Sequence, residues 1–186
     1  MPEPSGPAWV DRFPTSRTTD TLESSFRRKC EAFLAALKEA GARIDISATF
    51  RPPERAYLMH FSFLIHTGEV NPRDVPARAG VDIDWVHRRP NGTPDLPASI
   101  AAAAAMVHGY DIAFKPSLTS LHTVGKAIDM TIAWNGTLTI AQKNGRPKQI
   151  TSLPRSGLNH DLWAVGATFG VIKLPSDPPH WSATGH

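Results

Sequence analysis

The stretch "SLHTVGKAIDM", residues 120–130, decides how this chain is read. It sets an imidazole at His122 and a carboxylate at Asp129, with Gly125 and Ala127 between them. On one unbroken strand, residues seven apart face opposite sides, because side chains alternate with period two. A helix would align the pair, but Thr123, Val124 and Gly125 disfavour one, and "IDMTIAW" (128–134) continues as a strand. The pattern therefore predicts a bend near Gly125 that swings His122 back toward the strand bearing Asp129, with Gly125 and Ala127 leaving room at the bend. Ser120, two residues ahead of His122, is placed to hydrogen-bond a ligand and hold its orientation.

An imidazole and a carboxylate converging in this way suit a divalent zinc site, where a catalytic ion takes three protein ligands and keeps one position for water. The third ligand must come from elsewhere, and "SDPPHWS" (176–182) offers His180. Two prolines separate Asp177 from His180 and favour an extended polyproline-like run. With three residues per turn, that conformation points both residues to one side, His180 toward the metal and Asp177 toward its water. Taken singly, His122 reads as a structural histidine and Asp129 as a strand-end carboxylate. Together with Ser120, Gly125, Ala127 and His180 they read as a metal site, and two imidazoles with one carboxylate and an open position suit Zn2+.

Around this centre the chain has the patterning of an α+β domain with a small antiparallel sheet flanked by helices. Residues 1–19 are Pro/Ser/Thr-rich and read as an N-terminal arm, leaving 20–186 as a single domain. A helix is expected from Asp20, with Glu23 in a capping-box position and Leu22, Phe26, Cys30, Phe33, Leu34 and Leu37 at helical spacing up to Gly41. A strand follows at 43–50, then helices at 54–67 and 98–108, separated by an irregular excursion over 69–97. Short strands are expected at 128–134, 137–142 and 148–152, the first two joined by a hairpin at Asn135–Gly136. A last helix is expected over 157–171.

The bulk numbers exclude several functions. The 186 residues carry a formal net charge of +3 with scattered Lys and Arg, so no basic stripe with interleaved aromatics marks a nucleic-acid interface. Cys30 is the one cysteine, which rules out an intrachain disulfide or a Cys-rich metal site, and its place on an apolar helix face makes it a small buried hydrophobe. No segment approaches the length of a membrane span. The N-terminus lacks the basic start and apolar core of a secretory signal, so synthesis in the cytoplasm is expected. His60, His66, His87, His108 and His160 read as structural or exposed, and His186 as a mobile end. Trp9, Trp85, Trp134 and Trp163 read as anchors of core or loops. Trp181 either lines a substrate groove or packs beneath the metal loop.

The pattern S-x-H-x-x-G-x-A-x-D, carried by Ser120, His122, Gly125, Ala127 and Asp129, resembles that of the D-alanyl-D-alanine carboxypeptidase and L-alanyl-D-glutamate endopeptidase family, hedgehog-like zinc peptidases of bacteria and phages. The family closes with an acid three residues before a histidine that precedes an aromatic, as Asp177, His180 and Trp181 do here, and it has an arginine after an early strand, as Arg51 is in "SATFRPPE". The likeness spans roughly residues 43–182, and the excursion at 69–97 and the doubled proline before His180 depart from it. It implies Zn2+ held by His122, Asp129 and His180, Asp177 as general base and then acid, and Arg51 polarising the scissile carbonyl. The implied activity is hydrolysis of a peptide bond in the stem or cross-link of peptidoglycan at the cell wall, with endopeptidase preferred over carboxypeptidase. It fits a phage endolysin or an antibacterial effector, the latter with a secretion-machine carrier or an immunity protein as partner. The alternative is a non-catalytic, zinc-stabilised wall-binding module.

Overall fold

In the computed structural model, which describes residues 2–186, the elements run in chain order β1 (Glu3–Pro4), α1 (Ser24–Glu39), β2 (Arg43–Ala48), α2 (Pro53–His66), β3 (Ile83–Asp84), α3 (Leu96–Gly109), β4 (Ala127–Ala133), β5 (Leu138–Ala141), β6 (Pro147–Ile150), α4 (His160–Phe169), β7 (Ile172–Lys173) and β8 (His180–Ser182). The fold is α+β. The chain divides into two compact units, residues 1–14 with 52–120 and residues 15–51 with 121–186. Among the described residues no helix is long and apolar enough to cross a membrane.

The first unit is built on α2 and α3. Tyr57, Leu58, Phe61, Leu64 and Ile65 bury against Ala103, Met106 and Tyr110. The end of α3 makes a close approach that glycine permits: a Cβ on Gly109 would lie 2.8 Å from Val10. The proline-rich start of the chain is no free arm. Glu3–Pro4 pairs in parallel with β3, Trp9 is buried in this unit's core, and Tyr110 donates to the Trp9 carbonyl. A buried indole carries enough apolar surface to order a segment whose other residues favour loops. The excursion at 69–97 contributes β3, Val81 and Trp85 to the same core.

The second unit holds a four-stranded antiparallel sheet in the order β2-β4-β8-β7, with α1 and α4 against one face. Ile128, Met130 and Ile132 of β4 point into that core beside Phe26, Phe33, Leu37, Leu162 and Val165. A one-residue slip of β4 would turn all three outward and Asp129 inward. At about 1.5–3 kcal/mol per buried side chain, such a slip would cost an amount comparable with the whole stability of a domain. The apolar alternation of β4 thus fixes the face on which Asp129 lies. Cys30 is fully buried in this core, and burial pushes its thiol pKa up to about 12.

Local expectations need correction in three places. The helix expected from Asp20 begins at Ser24, and Glu23 is its N-cap, its carboxylate accepting from the Ser25 and Phe26 amides. Thr19–Thr21 forms a separate 3-10 turn. Asn135–Gly136 does not join a hairpin, because β4 is central and both its edges are taken by β2 and β8. The hairpin is β5–β6, turning at the next Asn-Gly of the chain, Asn144–Gly145. The strand expected at 43–50 ends at Ala48, with an irregularity in register between Ile46 and Ala48.

Candidate metal centre

The bend expected at Gly125 is present. Leu121–Val124 forms a 3-10 turn, Gly125 follows at φ +66°, and β4 begins at Ala127. Only glycine is free of strain at that φ, and a Cβ there would stand 2.8 Å from the Glu23 amide nitrogen. The Gly125 carbonyl accepts from Glu23 N–H at 2.9 Å, so the turn is bonded to the start of α1. The His122 carbonyl accepts from Arg51 N–H at 3.1 Å, which ties the turn to the segment after β2 as well.

Asp129 and His180 are directly opposite one another on β4 and β8, so their side chains share one face of the sheet. The next pair, Ile128 and Trp181, faces the core. His122 reaches the same face from its turn. Its Nε2 lies 3.1 Å from Asp129 Oδ1 and 3.2 Å from His180 Nδ1, and His180 Nδ1 lies 3.0 Å from Asp129 Oδ1. His122 and His180 are buried, at 3% and 6% exposure. The structure therefore brings together the three residues that the sequence assigns as ligands.

The outer nitrogens decide what the inner ones can do. His122 Nδ1 is 3.0 Å from the Thr49 carbonyl oxygen, and His180 Nε2 is 3.1 Å from the His186 carbonyl oxygen. A carbonyl only accepts, so each outer nitrogen carries the proton, and in the neutral ring the inner nitrogen presents a lone pair. Two lone pairs and a carboxylate oxygen then meet with no proton between them, an arrangement that repels unless a cation joins it. Without a metal, a proton on an inner nitrogen takes the cation's place: burial opposes ionisation of Asp129, but hydrogen bonds and charge from the two imidazoles then outweigh it and hold the carboxyl well below its usual range. Burial likewise opposes protonation of His180, and Asp129 outweighs it, so the imidazole pKa is raised. Both directions express one demand for positive charge.

The spacing fits a metal ion. A tetrahedron with bonds of about 2.0–2.1 Å has edges of about 3.3–3.4 Å, close to the three separations found here. Outer imidazole N–H groups donating to carbonyls are the usual means of fixing a ligating histidine. This buried group of two imidazoles and a carboxylate could hold a metal ion.

The other expected residues are placed as follows. Ser120 is half-buried and ends the first unit. Arg51 is half-buried, with its main chain bonded to the His122 turn. Asp177 is exposed, and its charge acts on His180 and on Lys173. The segment between β7 and β8 is not a polyproline run. It makes two successive turns, with Asp177 N–H donating to the Leu174 carbonyl and His180 N–H to the Asp177 carbonyl. Trp181 is fully buried and packs on Phe33 with ring centroids 5.5 Å apart, so it lies beneath the site and lines no groove.

Sequence reasoning missed Thr49 and His186, both of which act through main-chain carbonyls that no residue type announces. His186 is not a loose end: Ser182 Oγ accepts from the Gly185 and His186 amides at 2.8 and 3.2 Å, folding the last residues over His180. It also missed Lys173, since Val171-Ile172-Lys173 has no apolar alternation to mark the lysine as the inward residue that the structure makes it. Comparison with protein families, with curated proteins and with solved structures finds no match to this chain.

Proposed function

We propose that this protein is a zinc metallopeptidase that hydrolyses a peptide bond in the stem or cross-link of bacterial peptidoglycan. The observation that carries the reading is the buried convergence of His122 Nε2, His180 Nδ1 and Asp129 Oδ1, three acceptors that only a cation reconciles. Support for the substrate class is the resemblance of S-x-H-x-x-G-x-A-x-D and of the Asp177–His180 spacing to the peptidoglycan peptidase family.

Bound zinc would supply Lewis acidity, which brings water to a pKa of about 7 and polarises a carbonyl. Asp177, exposed beside the ligand loop, would take the proton from the attacking water on a carboxylate oxygen and return it to the departing amine nitrogen. Arg51 would stabilise the negative charge that develops on the carbonyl oxygen, a contribution of about 3–4 kcal/mol for one well-aimed donor. His122 and His180 would hold the ion through their inner nitrogens, with the tautomer of each ring set by the Thr49 and His186 carbonyls. An endopeptidase is preferred, since lysis serves both a phage endolysin and a delivered antibacterial effector.

Purified peptidoglycan incubated with the protein and zinc should release new muropeptides, and a chelator should stop their release. Mass spectrometry of the fragments identifies the bond. Muropeptide profiles that never change with zinc present would refute the enzyme reading.

A further inference from the structure

Lys173 occupies a position that should belong to an apolar residue. It sits on β7 directly opposite Trp181, hence on the core-facing side of the sheet, and is only 4% exposed. An ammonium there survives only if its hydrogen bonds are replaced in full. They are: Nζ donates to the carbonyls of Leu174, Asp177 and His180, and an ammonium has three donors. Nζ also stands 5.9 Å from the centroid of the Trp181 ring.

Those three carbonyls belong to the loop between β7 and β8, which carries Asp177 and ends on the ligand His180. Carbonyl oxygens turned toward one point repel each other, and this point is closed to water. The ammonium removes that repulsion and so selects the doubly turned loop over the extended run that Asp-Pro-Pro would otherwise favour. The His180 main chain is fixed twice, its carbonyl accepting from Lys173 Nζ and from Leu174 N–H, both at 3.1 Å.

We propose that Lys173 is a positioning residue for the metal centre: its ammonium gathers the loop carbonyls and holds His180 and Asp177 in place before an ion arrives. This role rests on the metal-binding part of the reading above and not on peptidase activity. It explains why a cation other than the metal lies under the site, on the side away from the ligand nitrogens.

Two measurements test it. In chelator-treated wild-type protein, hydrogen exchange should show the Leu174, Asp177 and His180 amides already protected. If these amides exchange freely until zinc is added, the metal orders the loop and the proposal is overturned. Lys173→Met should weaken zinc binding by about 10–100-fold, as loss of groups that orient ligands does, and should alter the visible absorption of the cobalt-substituted protein. Leu138→Ala, a core truncation in the β5–β6 hairpin, should lower stability with zinc affinity and cobalt spectrum unchanged. A Lys173→Met protein that binds zinc as tightly as wild type overturns the proposal. Should that variant not fold, amide exchange in the wild type decides alone. Wild-type protein that takes up no zinc overturns the metal centre itself, along with this role.

Discussion

Zinc added to the metal-free protein should raise its melting temperature by roughly 10 °C. The size follows from linkage: an ion present at a thousand times its dissociation constant contributes about 4 kcal/mol, and a chain of this length shifts by about 2–4 °C per kcal/mol. The gain should come from the second unit, which supplies all three ligands. His122→Ala and His180→Ala should abolish the shift, since two remaining donors do not make a zinc site. The sign of the pH dependence is fixed by His180. Its pKa is raised in the metal-free protein, so a proton there stabilises the fold at low pH, and that stability is lost as pH rises through the raised value. Zinc needs the same nitrogen unprotonated. The zinc-induced shift should therefore be small near pH 5 and larger at pH 8, as calorimetry at the two pH values would show. A shift equal at both, or one retained by His180→Ala, would mean that the ion binds elsewhere.

Asp177→Asn should lower peptide hydrolysis by about 10²–10⁴-fold while leaving zinc content at one ion per chain. The amide keeps the shape of the carboxylate but cannot take a proton from water. Because Asp177 is exposed and its hydrogen bonds to Lys173 and His180 are made by its main-chain carbonyl, the variant should fold and melt close to wild type. The same substitution separates the enzyme from a zinc-stabilised binding module. In a module that only binds the wall, Asp177→Asn would retain both zinc and wall affinity and remove no activity. Metal analysis alongside the hydrolysis assay distinguishes a lost base from a lost ion.

What could be read in the sequence follows from how local each cause is. The His122 bend was legible because Gly125 and the alternation of β4 are properties of a few adjacent residues, and the structure places both as expected. His180 was legible as a partner only through the "SDPPHWS" motif, and its place opposite Asp129 on a paired strand belongs to the assembled sheet. The turn at 174–179 was not. Asp-Pro-Pro locally favours extension, and the opposing cause is a lysine ammonium beneath the loop. The choice between Asn135–Gly136 and Asn144–Gly145 was also not local: it depends on β4 having both edges occupied, which only the assembled sheet decides. Trp9 shows the same limit, because its proline-rich surroundings read as an arm until the core that receives it is known.

The most direct test is a crystal structure of the zinc-loaded protein with anomalous scattering measured at the zinc edge. A single peak should lie about 2.0–2.2 Å from His122 Nε2, Asp129 Oδ1 and His180 Nδ1, with the outer imidazole nitrogens still on the Thr49 and His186 carbonyls. A zinc-soaked crystal with no peak among these three atoms, or with zinc held by other side chains, would contradict the account.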